Sequence, residues 1–250
     1  MKIAFFADSL PPSTDGVAHT FTKLAESLHK EGHEYLFFSP FTPKNEFPWQ
    51  DKVHTVPSVP LFLYPHYRIG LPALRKIENK LDEFEPDIIH SSSPTFLGRI
   101  GLTYAEKNRI PAVSSYHTHF VSYFKYYKLG LAENLGWSFL KWFYNQFDRI
   151  YVPSVSAIDE LKEKGFENLE LWQRGINTKQ FSPEKRNYEL RKAIAPNNEL
   201  ILLFVGRLVK EKDLDDLIIM DEILRKHNRP FKLVITGDGP MREELEEKLP

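Results

Sequence analysis

Two cations stand where they can act together. Leu202-Leu203-Phe204-Val205-Gly206-Arg207-Leu208 reads as a buried β-run ending in Gly-Arg, and Lys212 follows at the start of the next element. Such a run puts a guanidinium at the carboxyl edge of a sheet. Arg grips phosphate oxygens in a fork and Lys adds a mobile point charge, so the pair suits a diphosphate. A surface ion pair of Arg207 with Glu211 or Asp213 fits the same residues. Asp15-Gly16-Val17 opens the first helical pattern. Glycine there lets the backbone approach a phosphate or sugar, and a helix amino terminus favours anions; an ordinary β-to-α turn fits equally. The Gly-x-Gly-x-x-Gly of a dinucleotide fingerprint is absent after the first strand. His117 and His119 lie just past a strand's carboxyl end, where open α/β sheets place ligands. As a partial metal site they lack a nearby carboxylate. One buried, hydrogen-bonded histidine beside one exposed histidine is the plain alternative. Gly237 and Gly239, in Gly237-Asp238-Gly239-Pro240, predict a tight loop with close backbone approach, near a nucleotide or in a simple turn.

These groups need a scaffold, and the alternation of short apolar runs with helical patterns predicts a parallel α/β sheet. Ile3–Ala7 is the first strand, followed by Val17, Phe21, Leu24 and Leu28 at helical spacing and by Gly32 at the helix stop. Strands are expected at Tyr35–Phe38, Val53–Val56, Ile88–His90, Ala112–Ser115, Ile150–Val152 and Leu169–Trp172. Helices are expected at Leu71–Phe84, Phe96–Lys107, 120–147 and Val155–Lys164. Polar Phe181–Asn198 reads as a connector with one short helix. Beyond it the α/β pattern restarts: strand Leu200–Val205, helix Asp213–Lys226, strand Phe231–Ile235 and a last helix to Leu249. The domains expected are 1–180, a connector at 181–198, and an incomplete second domain at 199–250. A full Rossmann-like half needs roughly 100 residues or more, so a truncated chain or a natural fragment is expected.

Composition narrows the classes. Lys+Arg at 33 balances Asp+Glu at 34, which argues against a general nucleic-acid binder. The chain has no cysteine, which excludes disulfides, thiolate chemistry and Cys-type zinc sites and allows a cytosolic setting. The first apolar segment is too short for a signal peptide, and no apolar run approaches the ~20 residues of a membrane helix.

The ordered motifs carry a resemblance. Ser13-Thr14-Asp15-Gly16-Val17, Gly32-His33-Glu34, Ser115-Tyr116-His117-Thr118-His119 and Val152-Pro153-Ser154 come first. Trp172-Gln173-Arg174-Gly175-Ile176-Asn177 with Phe181-Ser182-Pro183, Gly206-Arg207-Leu208 with Glu211-Lys212, and Gly237-Asp238-Gly239-Pro240 follow. Together they resemble the retaining glycosyltransferases of family 4, of GT-B architecture. The Tyr116–His119 and Arg174–Asn177 variants look most like the branch that glycosylates lipids, including mannosyl-, glucosyl- and sulfoquinovosyl-transferases. A spaced glutamate pair of that family, which would follow Pro250, is absent from the sequence.

The resemblance implies a GT-B fold with an acceptor-side Rossmann-like domain and the opening of a donor-side domain. It implies transfer of a hexose from a GDP- or UDP-linked sugar, with retention, to a lipid or glycan acceptor. His117 would lie beside the transferred sugar, preferred over His119. Gly16, Arg207 and Lys212 would meet the donor diphosphate, and Asp15, Val17, His119, Gly237 and Gly239 are further contact candidates. Arg207 and Lys212 can do a metal's charge work, so neither a metal nor a cofactor beyond the substrate is expected. The alternatives are a non-catalytic acceptor- or membrane-binding fragment, and an epimerase or phosphorylase of the same architecture.

Aromatics crowd the stretch 120–147: Tyr123, Phe124, Tyr126, Tyr127, Trp137, Phe139, Trp142, Phe143 and Tyr144, with Lys125, Lys128 and Lys141. Rings with lysines suit an anionic membrane surface. Leu61–Arg68 is a second such candidate, and core packing is the plain alternative for both. A cytoplasmic protein, peripheral on the membrane face, is the expectation.

Overall fold

The computed structural model describes residues 1–13, 15–42, 47–61, 64–71, 73–117 and 133–249, without the side chains of 61, 64–67 and 69. These residues form two compact units that divide between Arg174 and Gly175, ahead of the polar connector expected at 181–198.

In the first unit, β1 (Lys2–Phe6) is a run of apolar residues after Lys2, as a parallel strand covered on both faces requires. It pairs in parallel with β2 (Glu34–Ser39) and with β6 (Ile88–Ser91). The sheet is completed by β3 (Val53–Thr55), β7 (Ala112–Ser115), β8 (Arg149–Val152) and β9 (Leu169–Leu171). Its seven strands run in the order β3-β2-β1-β6-β7-β8-β9. Strand order therefore reverses direction between β1 and β6, and the carboxyl ends of these strands form the edge where doubly wound sheets take ligands.

Helices follow the strands as the periodicity predicts. α1 (Gly16–Lys30) buries Ala18, Phe21, Ala25 and Leu28 along one stripe. It stops at a left-handed Gly32, where Gly32 N–H donates to His29 O and His33 N–H to Leu28 O. Phe21 packs edge-on to Phe5, and Phe5 stacks on Phe37 at 4.8 Å, in a core with Ile3, Leu10, Tyr35 and Trp49. Each such ring is worth ~1.5–3 kcal/mol in burial. α2 (Leu74–Phe84) precedes β6, and α3 (Phe96–Asn108) follows it. Gly101 lets α3 lie on β1, because a Cβ there would come within 2.5 Å of the Phe6 ring. α4 (Glu133–Tyr144) and α5 (Val155–Glu163) flank β8 in sequence.

One element escaped the sequence reading. Ser58–Leu61 (β4) and Tyr64–Gly70 (β5) form an antiparallel hairpin outside the main sheet. Pro60 and Pro65 read as breakers, yet a two-stranded hairpin leaves edges where a missing N–H costs nothing.

The second unit holds α6 (Tyr188–Ile194), β10 (Leu200–Val205), α7 (Asp215–Lys226), β11 (Phe231–Thr236) and α8 (Arg242–Lys248). β10 and β11 pair in parallel over their whole length. The small core is Leu208, Leu214, Met241 and Leu245. The connector carries a short 3-10 turn at Pro183–Lys185 as well as the single helix expected, α6. Among the described residues no helix is long and apolar enough to cross a membrane.

Candidate functional site

The polar motifs of the first unit gather where its parallel strands end. β1 runs out into Asp8, β6 into Ser92 and Ser93, β7 into Tyr116 and His117, and β9 into Trp172 and Arg174.

Asp15 caps α1. Its Oδ1 accepts from the N–H of Val17 at 2.8 Å and of Ala18 at 3.0 Å. Its Oδ2 accepts from the hydroxyls of Ser13 and Ser9. Burial alone would raise this carboxyl, but the two hydroxyls and two amides together bring it below the usual carboxylate value. Both oxygens are thus engaged by the chain itself, as a helix cap. Val17, a further contact candidate, packs partly buried against the core.

Gly16 is different, because nothing among the described residues asks for glycine there. It is exposed, its φ lies outside the left-handed region, and among the described residues a Cβ would meet only Arg174 Nη1, at an ordinary 3.6 Å. The first residue of α1 therefore presents bare backbone beneath a guanidinium.

His117 sits beside that guanidinium. Arg174 Nη2 donates to His117 Nδ1 at 2.8 Å. The ring stands edge-on to Phe21 at 5.5 Å and tilted against Trp172 at 5.9 Å. Burial first, then the cation of Arg174 and the neighbouring His90, push His117 down to about 3, with Asp15 opposing. The imidazole is neutral across the physiological range. Its Nε2 is buried and finds no partner among the described residues. His119 lies outside the described residues.

Beneath this layer, His90 Nε2 and Ser115 Oγ are hydrogen-bonded at 2.5 Å. Burial holds His90 at about 3. Asp8 lies 1% exposed at the carboxyl end of β1. Its Oδ2 accepts from Thr95 Oγ1 at 2.8 Å, while Oδ1 has no partner among the described residues. Burial lifts this carboxyl to about 7, with Thr95 and Ser93 opposing.

Arg174, His90 and Asp8 had no assigned role in the sequence reading. A signal existed for Arg174: it follows a parallel strand as Arg207 does, at the edge where ligands sit.

In the second unit, two turns at the carboxyl ends of β10 and β11 lie backbone to backbone. Gly206 N–H donates to Thr236 O at 3.0 Å, Leu208 N–H to Asp238 O at 2.9 Å, and Met241 N–H to Leu208 O at 3.0 Å. A Cβ on Gly237 would overlap the Gly206 carbonyl oxygen, and one on Gly239 the Leu208 carbonyl oxygen. The chain's own packing therefore accounts for both glycines. Between these turns Arg207 pairs with Glu211 at 3.4 Å, and Lys212 is exposed at the end of a 3-10 turn. Arg207 is thus in the ion pair anticipated as its plain alternative.

Of the aromatic stretch, Trp137, Phe143 and Tyr144 are core, and Phe139 and Trp142 are about half exposed. Tyr123, Phe124, Tyr126, Tyr127, Lys125 and Lys128 lie outside the described residues, as do the side chains of 61–67.

The sequence pattern described as Glycosyltransferase Family 4 matches residues 14–180, and that of Glycosyl transferases group 1 matches residues 185–249. A GDP-mannose-dependent alpha-mannosyltransferase of Corynebacterium glutamicum is 33% identical over 100% of this chain and 60% of its own length. An alpha-monoglucosyldiacylglycerol synthase of Streptococcus pneumoniae is 27% identical over 99% of this chain and 58% of its own. Among solved structures, sucrose-phosphate synthase from Thermosynechococcus elongatus superposes with a TM-score of 0.67 at 18% identity, over 99% of this chain and 65% of that one. The chain spans between 58% and 66% of the length of such curated relatives. With the doubly wound sheet, and with the matched pattern over most of the chain, this protein belongs to Glycosyltransferase Family 4.

Proposed function

We propose that the protein takes part in moving a hexose from a nucleotide-diphosphate sugar to a membrane lipid or lipid-linked sugar, with retention of anomeric configuration. The observation that carries this reading is the arrangement at the carboxyl edge of the first sheet. A neutral histidine and a guanidinium stand over a helix start whose glycine no described residue requires.

In this reading His117 gives a hydrogen bond from Nε2–H to a hydroxyl of the transferred sugar. Gly16 lets donor or acceptor oxygens approach the start of α1. Arg207 and Lys212 offset the charge that builds on the departing diphosphate. The bond from the anomeric carbon to the phosphate oxygen breaks, and the bond to the acceptor oxygen forms on the same face. The acceptor's proton passes to the departing phosphate oxygen. No carboxylate nucleophile is needed on that path, unlike the two-carboxylate route of retaining glycosidases.

The lipid acceptor rests on two supports. One relative's name includes diacylglycerol. α4 also leaves Leu135, Phe139 and Trp142 exposed at helical spacing, with the Arg99 guanidinium 5.5 Å over the Trp142 ring.

The test is a transfer assay on the full protein, with GDP-mannose first and UDP-hexoses second, against diacylglycerol in anionic vesicles. The expected product is an α-linked glycolipid, formed alongside free nucleotide diphosphate. Conversion of the sugar nucleotide without an acceptor would assign an epimerase instead. No conversion with any donor would overturn the reading. Equal use of a water-soluble acceptor, with no co-flotation on vesicles, would remove the membrane part alone.

A further inference from the structure

We infer that Arg174 is a positioning residue that fixes the proton arrangement of His117, holding the ring neutral with its one proton on Nε2 as a donor. The inference rests on the proposed contact between His117 and the sugar, and goes beyond it by naming what sets that contact.

Direction follows from the chemistry of the pair. A guanidinium carries N–H donors and no acceptor. At 2.8 Å from Arg174 Nη2, His117 Nδ1 must supply the lone pair. A neutral imidazole with Nδ1 as acceptor has its proton on Nε2. An imidazolium would set N–H against N–H and cation against cation, so the contact excludes it. A flip of the ring about its Cβ–Cγ bond would replace Nδ1 with a carbon and lose the bond. The flanking rings of Phe21, at 83°, and Trp172, at 56°, hold the imidazole plane against that.

Among the described residues, the charged and titratable groups that act on the ring are Arg174 after β9, His90 on β6 and Asp15 at the start of α1. Asp15 is the only anion among them, and its oxygens are committed to the α1 cap and two hydroxyls. It favours the charged state of Arg174 as well. The product of this arrangement is a buried Nε2–H without a partner among the described residues. Leaving such a donor unmet is costly, and a bound hydroxyl oxygen removes that cost.

Nitrogen-15 NMR of the histidine-labelled full chain tests this without substrate, with the His117 signals assigned by loss in H117N. The expected wild-type spectrum has Nδ1 unprotonated and Nε2 protonated, unchanged from pH 8 to pH 5. Followed below pH 5, the titration midpoint of the ring is expected to lie about one pH unit or more higher in R174M than in wild type. R174K, which restores a cation without the fork, is expected to fall between the two. Where turnover is measurable, the acid limb of kcat/KM should move with the NMR midpoint. A wild-type ring protonated at Nδ1, or titrating near the ordinary histidine value, overturns the inference without any variant. An unchanged titration in R174M overturns it too. The expected spectra together with no glycosyl transfer would instead leave the inference standing and remove the proposed function.

Discussion

Gly237 lies directly against the carbonyl oxygen of Gly206, so close that a side chain at position 237 has no room. Two turns separated by some thirty residues of chain are thereby held backbone to backbone at the ends of β10 and β11. The obstacle is backbone rather than a flexible side chain, so it has little scope to yield.

G237A is accordingly expected to destabilise the second unit by about 1–3 kcal/mol, the usual cost of forcing extra atoms into a packed site. Urea unfolding followed by the tryptophan-poor second unit's own amide exchange would register it. Unchanged protection of the β10 and β11 amides would mean that the turns can part freely.

G16A should behave in the opposite way. Among the described residues a Cβ there meets only Arg174 Nη1 at 3.6 Å, and alanine is the better helix former, so stability should hold or rise by up to ~1 kcal/mol. Glycosyl transfer is expected to fall at least about tenfold, because a methyl group would stand where substrate oxygens approach the backbone. A fully active G16A would remove this helix start from the proposed site. D15A, by contrast, removes the α1 cap and should cost ~1–2 kcal/mol in a denaturant melt.

Asp8 gives the fold a pH dependence of known sign. Its folded value of about 7 lies above the ordinary 3.8, so the native state holds this proton more tightly than the unfolded chain. The associated stability is full below about pH 4 and is lost as pH rises through about 7. D8N mimics the protonated form and lacks that slope. Relative to wild type, D8N should gain of the order of 2–4 kcal/mol between pH 4 and pH 8. Denaturant midpoints at the two pH values would show it, and parallel curves would contradict it.

His90 works with the other sign. Its folded value of about 3 lies below that of a free histidine, so the unfolded chain binds more protons on acidification and stability falls as pH drops below about 6.5. H90Q should flatten that acid loss, seen as a smaller decrease in Tm from pH 7 to pH 5 than in wild type. An equal decrease would assign the acid loss elsewhere.

Arg207 is 42% exposed, but its partner Glu211 is only 14% exposed. R207A leaves that largely buried carboxylate without this cation and should lower Tm, whereas K212A, at an exposed position, should melt near wild type. Both variants should bind a nucleoside diphosphate at least about tenfold more weakly, measured by titration calorimetry with GDP and UDP. Unchanged affinity in both variants would break the assignment of these cations to the donor diphosphate.

The candidate residues that follow strand ends could be picked out in the linear chain. His117 after β7 and Arg207 after β10 come from the rule that parallel sheets present ligands at carboxyl edges. Arg174 obeyed the same rule after β9, but its partner lies 57 residues away, and no local pattern couples the two. The β4–β5 hairpin covers much of Leu61–Arg68, the segment set down as a second membrane-surface candidate, and pairs outside the parallel sheet. Asp8 looked like an ordinary strand end, since burial is a property of what packs around a residue.

The sequence by itself determined the alternation of strands and helices, the family, and the residues available for chemistry, because periodicity and strand-end motifs are local. Only the tertiary structure decided that Asp15 is spent as a cap, that Gly237 and Gly239 serve the packing of two turns, and that among the described residues nothing of strain or packing requires Gly16. It alone set Arg174 against His117. Such roles depend on distances between remote segments and on the water excluded there, and neither quantity exists until the chain has folded.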